Sequence, residues 1–241
     1  MEIKSISIIV AMQQEANPII SALGLVYSGK ISEQLPMLNY EGITNGVNVN
    51  LVTNGICPTY GIDLVASQPS ILSTYVCVEK RKPSLIINAG TAGGFKKYGA
   101  NIGDVYLGSP HVCFHDRRIN LPGFSEYGMG FYTTYPCEVM AKKMALKTGV
   151  VSTGNSLDFS DDDKRVMDTY KGSVKDMEAA AVGWVANLLQ IPFIAVKAIT
   201  DIVDGSTPTK DEFLNNLELA SENLAAQLAK IVCFLSTNDL H

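Results

Sequence analysis

Six short runs rich in Ile and Val, residues 6–11, 47–52, 85–89, 104–107, 150–152 and 193–199, each give way at once to small or polar residues. A strand buried on both faces reads as a continuous apolar run rather than an alternation, so these runs predict the strands of a covered sheet. Helical stretches lie between them, at 15–23, 69–79 and the Ala- and Leu-rich 174–189. Further on, Phe213, Leu217, Ala220, Leu224, Leu228, Ile231 and Leu235 recur at spacings of three and four, with Thr209-Lys210-Asp211-Glu212 ahead of them as a capping box. This last helix is packing and lies on the sheet. The alternation of strands and helices predicts an α/β layered fold.

At 241 residues the chain can bury a full three-layer core, and no linker or repeat divides it, which predicts one domain over 1–241. Disorder is expected only in the last few residues. A net charge of -5, with Lys80-Arg81-Lys82 and Arg117-Arg118 short and isolated, argues against nucleic acid as a partner. The first apolar run, about seven residues long, is too short for a signal-peptide core or a membrane span, so a cytoplasmic protein without a membrane partner is expected. Five cysteines, widely spaced and without a C-x-x-C pair, suit a reducing compartment rather than a disulfide frame or a zinc site. His111 and His115 could share a metal only on a helix, and the strand-like lead-in at 104–109 argues against one. Asp161-Asp162-Asp163 after Ser160 reads as a solvated helix start.

Ligands of open α/β sheets collect at the carboxyl ends of the strands, so polar residues that follow the apolar runs are the candidates for chemistry. Glu15 follows the first run, Thr91 lies in a Gly-rich loop at 88–94, and Asp201 follows the run at 193–199. Two carboxylates and a Gly-rich loop on neighbouring strand ends outline an acid/base site. Each also has a bland reading, since such acids often sit in a helix's first turn and Gly-rich loops are often only tight turns. In Lys175-Asp176-Met177-Glu178 the acids read as the first turn of a helix; the functional alternative is that Glu178 grips sugar hydroxyls and favours positive charge at C1'.

Six motifs in order carry a resemblance: Val10-Ala11-Met12-Gln13-Gln14-Glu15, Ile87-Asn88-Ala89-Gly90-Thr91-Ala92-Gly93-Gly94-Phe95, Phe114-His115-Asp116-Arg117-Arg118, Ser152-Thr153-Gly154-Asn155-Ser156-Leu157-Asp158, Lys175-Asp176-Met177-Glu178 and Ile199-Thr200-Asp201-Ile202-Val203-Asp204-Gly205. Over nearly its whole length the chain resembles the methylthioadenosine/adenosylhomocysteine nucleosidases of the purine nucleoside phosphorylase superfamily, most of all the plant-type members. The resemblance implies a three-layer αβα sandwich with a central mixed β-sheet, and hydrolysis of the N-glycosidic bond of 5'-methylthioadenosine, or of adenosylhomocysteine or adenosine, in methionine salvage. Asp201 would protonate N7 of adenine and Glu15 would activate water. Met177 and Glu178 would hold the ribose, with Thr91 near the sugar where the family commonly has Ser. Adenine would lie near Leu157, with Lys175 among the substrate-binding residues and Lys197 close to Asp201. Asn155 stands where an acid often binds the adenine edge. No metal or organic cofactor is implied. A homodimer is, with Phe114, His115 and Phe131 as candidate contacts and the 5' pocket formed partly by 205–213 and partly by a second subunit.

Two other readings stay open at this level. A phosphate-dependent phosphorylase needs cations for phosphate, whereas Met12-Gln13-Gln14-Glu15 and Asn88 occupy the places of the arginines in the related phosphorylases. A non-catalytic storage relative would not require Glu15, Glu178 and Asp201 together.

Overall fold

The computed structural model describes residues 3–237; the first two residues and the last four, His241 among them, lie outside the described residues, as does the disorder expected at that end. The strands are β1 (Ser5–Val10), β2 (Val26–Lys30), β3 (Leu38–Thr44), β4 (Val47–Thr53), β5 (Leu85–Gly94), β6 (Val105–Phe114), β7 (Tyr132–Thr133), β8 (Lys147–Thr153), β9 (Gly172–Asp176) and β10 (Phe193–Ile202). The helices are α1 (Gln13–Leu23), α2 (Ser67–Arg81), α3 (Ser125–Met129), α4 (Glu138–Met144), α5 (Asp161–Thr169), α6 (Ala179–Leu188) and α7 (Thr209–Ser236). All the strands join one mixed sheet in the order β10-β6-β8-β9-β5-β1-β4-β3-β2, with β7 on β6. Because β5 pairs with β10 along its length and with β9 at its end, β5, β10, β6, β8 and β9 close into a ring, from which β1, β4, β3 and β2 extend.

Helices cover both faces, which is why the strands are apolar without alternation. Neighbouring residues point to opposite sides, as the two-residue period requires. Ile8, Ile87 and Val196 pack under α1, α4 and α7, while Ile9, Ile86 and Ala195 pack under α2 and α6. The apolar stripe of α7, from Leu217 to Leu235, is buried as its spacing predicted. Ser160 caps α5 by accepting the Asp163 amide, and Asp163 pairs with Arg118, which with the Ser160 bonds holds its carboxyl down at about 2 against the opposing effect of burial.

Four expectations are corrected. The 88–94 stretch is not a loop but the end of β5, because Gly93 and Gly94 pair with Lys175 and Val174 of β9 and leave room for close neighbours: a Cβ on Gly93 would lie 2.6 Å from Asp201 Oδ2. The 174–189 segment is not one helix, since β8 and β5 take Gly172–Asp176 into the sheet and α6 starts only at Ala179. Thr209 does not open a capping box; α7 begins at that residue after Pro208, and the Glu212 carboxylate accepts the Ile202 amide at 2.7 Å instead. Phe114 and His115 are buried within the subunit, so they are not free for a second one.

Candidate active site

The carboxyl ends of β1, β5 and β10, the end of β9 and the first turns of α1 and α7 enclose a cavity of about 260 Å³. That is just below the usual range for ligand pockets and suits a small ligand. Its walls are Ala11, Met12, Glu15, Val65, Thr91, Ala92, Gly93, Leu157, Lys175, Asp176, Met177, Glu178, Thr200, Asp201, Thr209 and Phe213.

Glu15 sits in the first turn of α1 and is almost wholly buried. Its Oε1 accepts the Thr91 amide at 2.7 Å and the Thr91 hydroxyl at 2.6 Å, and its Oε2 accepts the Met12 amide at 3.2 Å. Burial raises its pKa, while those donors and the nearby Lys197 ammonium favour the ionised form. A carboxylate held in one orientation by three donors is suited to receive a proton.

Below the cavity, three carboxylates surround one ammonium. Lys197, on β10, is fully buried, and its Nζ lies 2.7 Å from Asp176 Oδ2, an ion contact without good hydrogen-bond alignment. Burial opposes its charge, but Asp176, Glu178 and Glu15 outweigh it and raise its pKa. Asp176, at the end of β9, also accepts the Thr153 hydroxyl at 2.5 Å and the Ala179 amide at 2.7 Å. Burial works against its charge too, yet Lys197 and these donors keep its pKa below the usual value. Glu178 accepts the Ala66 amide at 2.9 Å; burial foremost, with Asp176 and Glu15 beside it, pushes it up to about 7 against the pull of Lys197. Removing one member of a buried ion pair strands the other and costs ~3–5 kcal/mol. Lys197→Met is therefore expected to lower unfolding stability by that amount in urea titration, with Asp176→Asn restoring part of it. Equal stability of Lys197→Met and wild type would show that the ammonium does not hold the site together.

Asp201 is buried at the end of β10, where the pairing with β5 shifts register between Ile199 and Asp201. Its Oδ1 accepts the Thr200 hydroxyl at 2.8 Å. Burial raises its pKa, against Thr200 and the cation of Lys175, and the charge of Glu212 raises it further. Lys175 donates to the carbonyls of Ser156 and Leu157, both at 2.9 Å, and so ties the rim after β8 to β9. Burial lowers its pKa, partly offset by Asp201 and Asp176.

Of the residues singled out from sequence, the cavity brings together Glu15, Thr91, Leu157, Lys175, Met177, Glu178 and Asp201. Two fall elsewhere. Asn155 braces the structure outside the cavity: its amide oxygen accepts the Ser67 amide and hydroxyl, at 3.1 and 2.5 Å, and its nitrogen donates to Asp116 at 2.9 Å. Lys197 lies by Asp176, Glu15 and Glu178 rather than Asp201. Thr209 and Phe213 come from the 205–213 stretch expected at the 5' pocket, whereas Asp176, Val65 and Thr200 were not singled out, and of these only Asp176 had a signal in the sequence, as the acid beside Met177-Glu178. Among the described residues no group of three His, Cys, Asp or Glu side chains could hold a metal ion.

Fold and cavity together define an α/β protein with four carboxylates gathered at the strand ends of a mixed sheet. Residues 5–232 match the model of the phosphorylase superfamily. The chain is 42% identical over 240 residues to a 5'-methylthioadenosine nucleosidase of Arabidopsis thaliana, covering 99% of this chain and 90% of that protein. It is 43% identical over 236 residues to a 5'-methylthioadenosine/S-adenosylhomocysteine nucleosidase of the same plant, covering 97% and 92%. The solved apo structure of Arabidopsis thaliana 5'-methylthioadenosine nucleosidase superposes with a TM-score of 0.95 at 41% identity, over 100% of this chain and 98% of that one. The chain belongs to the phosphorylase superfamily, and within it to the family of 5'-methylthioadenosine/S-adenosylhomocysteine nucleosidases.

Proposed function

We propose that this enzyme hydrolyses the N-glycosidic bond of 5'-methylthioadenosine, releasing adenine and the thioribose. Asp201, protonated, gives its proton to N7, so that the base leaves with the electrons of the C1'–N9 bond. Water forms the new bond to C1' and loses a proton to Glu15. The transition state resembles an oxocarbenium ion, which Met177 and the Glu178 carboxylate, on the ribose hydroxyls, would accommodate. Adenine would lie beside Leu157, and the 5' substituent between Val65, Thr209 and Phe213.

One observation carries hydrolysis over phosphorolysis. Four carboxylates, of Glu15, Asp176, Glu178 and Asp201, line the cavity, and its one lining cation, Lys175, spends donors on two carbonyls. A phosphate dianion would meet negative charge with no arginine to bind it. The five free cysteines favour a cytoplasmic enzyme, and among the described residues no helix is long and apolar enough to cross a membrane. Exposed apolar residues such as Tyr60, Ile62 and Tyr127 favour a homodimer, and a methylthioadenosine substrate supports a role in methionine salvage.

Adenine release from 5'-methylthioadenosine, S-adenosylhomocysteine and adenosine, measured with and without phosphate on a preparation sized by sedimentation, tests this reading. Release from methylthioadenosine at the same rate in both buffers, by a dimer, is the expected result. Strict phosphate dependence would move the protein to the phosphorylases, and inactivity on methylthioadenosine would remove it from methionine salvage.

A further inference from the structure

Asp201 has charged neighbours of opposite sign on two different elements. From β9 comes the Lys175 ammonium, which favours the ionised acid, and from α7 comes Glu212, which favours the protonated one. The strand on which it sits contributes the Thr200 hydroxyl, donated to Oδ1, and β5 presents Gly93, which carries no charge. Glu212 also reaches the backbone: its Oε2 accepts the Ile202 amide at 2.7 Å, one residue past the acid. One turn later, Asn216 donates to the Thr200 carbonyl at 3.0 Å and to the Glu212 carbonyl at 2.9 Å. Thr200 and Ile202 are thus clasped from one helix on either side of Asp201. The same turn presents Thr209 and Phe213 to the cavity.

We propose that Glu212 is a positioning residue for the general acid: from the first turn of α7 it holds the strand end that aims Asp201 into the cavity, and its carboxylate partly offsets the charge of Lys175 there. This rests on the reading of Asp201 as the proton donor. It also ties the wall formed by Thr209 and Phe213 to the acid, because both belong to the turn that carries Glu212. Burial is the main reason the acid keeps its proton beside a lysine, and the negative charge of Glu212 adds to it.

The two roles separate by substitution. Glu212→Gln keeps an oxygen for the Ile202 amide and removes the charge; Glu212→Ala removes both. Loss of a negative neighbour favours ionised Asp201, so activity, which requires the protonated form, is lost at lower pH as pH rises. In kcat/KM profiles for methylthioadenosine, Glu212→Gln is expected to move the alkaline limb to lower pH, with a loss on the order of tenfold on that side and an acidic plateau near wild type. Glu212→Ala should lower the plateau as well, and Lys175→Met should move the limb the opposite way. A Glu212→Gln profile that superposes on wild type, beside an inactive Asp201→Asn, overturns the role of Glu212 alone. Full activity of Asp201→Asn overturns the reading beneath it, and the inference falls with it. A uniform loss at every pH in Glu212→Gln, checked for folding by thermal melting, assigns Glu212 to structure only and likewise overturns the proposal.

Discussion

Asp201→Asn is expected to slow adenine release by ~10²–10⁴-fold or more, with the protein still folded and substrate still bound. The substitution keeps the shape of the side chain and an oxygen able to accept the Thr200 hydroxyl at the position of Oδ1. What it removes is the proton. Adenine is a poor leaving group as an anion, and without protonation at N7 the breaking bond must carry the whole charge. Stability should not fall, because the protonated carboxyl is replaced by a neutral amide of similar volume and no buried charge is created. Single-turnover release of adenine, with KM measured alongside, is the check. A mutant within tenfold of wild type would mean that the base departs without help from this residue, and the acid would have to be sought elsewhere. In the wild type the sign of the pH dependence follows: raised by burial, the Asp201 pKa extends the protonated form toward neutrality, and activity declines as pH rises through it.

The sheet was legible where strands are covered on both faces, and opaque where they are not. β2, at the sheet edge, is mostly exposed, and β3 mixes polar with apolar residues, so neither has the apolar run that marks β1, β5 and β10. β9 was misread because its five residues, Gly-Ser-Val-Lys-Asp, carry no strand signal of their own; β8 and β5 on either side make it a strand. Most of the cavity residues could be found from motif and strand end, since the fold delivers strand termini to one place. The cluster around Lys197 could not. A lysine inside an apolar run looks like a strand end exposed to water, and only the approach of β9 to β10 brings Asp176 to it. Glu212 was hidden for a similar reason: a Thr-x-x-Glu sequence before an apolar stripe is a good capping box locally, but its carboxylate accepts the Ile202 amide at the end of β10 instead. Local rules failed at the residues that tune charge, where tertiary contacts set the outcome.

Glu15→Gln is expected to cost the same ~10²–10⁴-fold or more, for the complementary reason. Burial raises the pKa of both carboxylates, but around Glu15 the Thr91 amide and hydroxyl, the Met12 amide and the nearby Lys197 all oppose that rise, whereas Glu212 adds to it at Asp201. Two buried carboxylates, one ringed by donors and one with a negative neighbour, can divide the roles of base and acid. Glutamine can still accept from Thr91 through its oxygen, but its NH₂ must then face the Met12 amide, a donor against a donor, and it cannot take a proton from water. The substitution also removes a negative neighbour of Glu178, whose pKa of about 7 should fall, so the ribose-facing carboxylate becomes more fully ionised and substrate affinity should not weaken. Loss confined to kcat is thus the expected signature. Acid and base serve one transition state, so the double mutant should lose far less than the product of the two single losses. A double mutant slower by that full product would mean that Glu15 and Asp201 contribute independently to that transition state, without coupling between water activation and base departure.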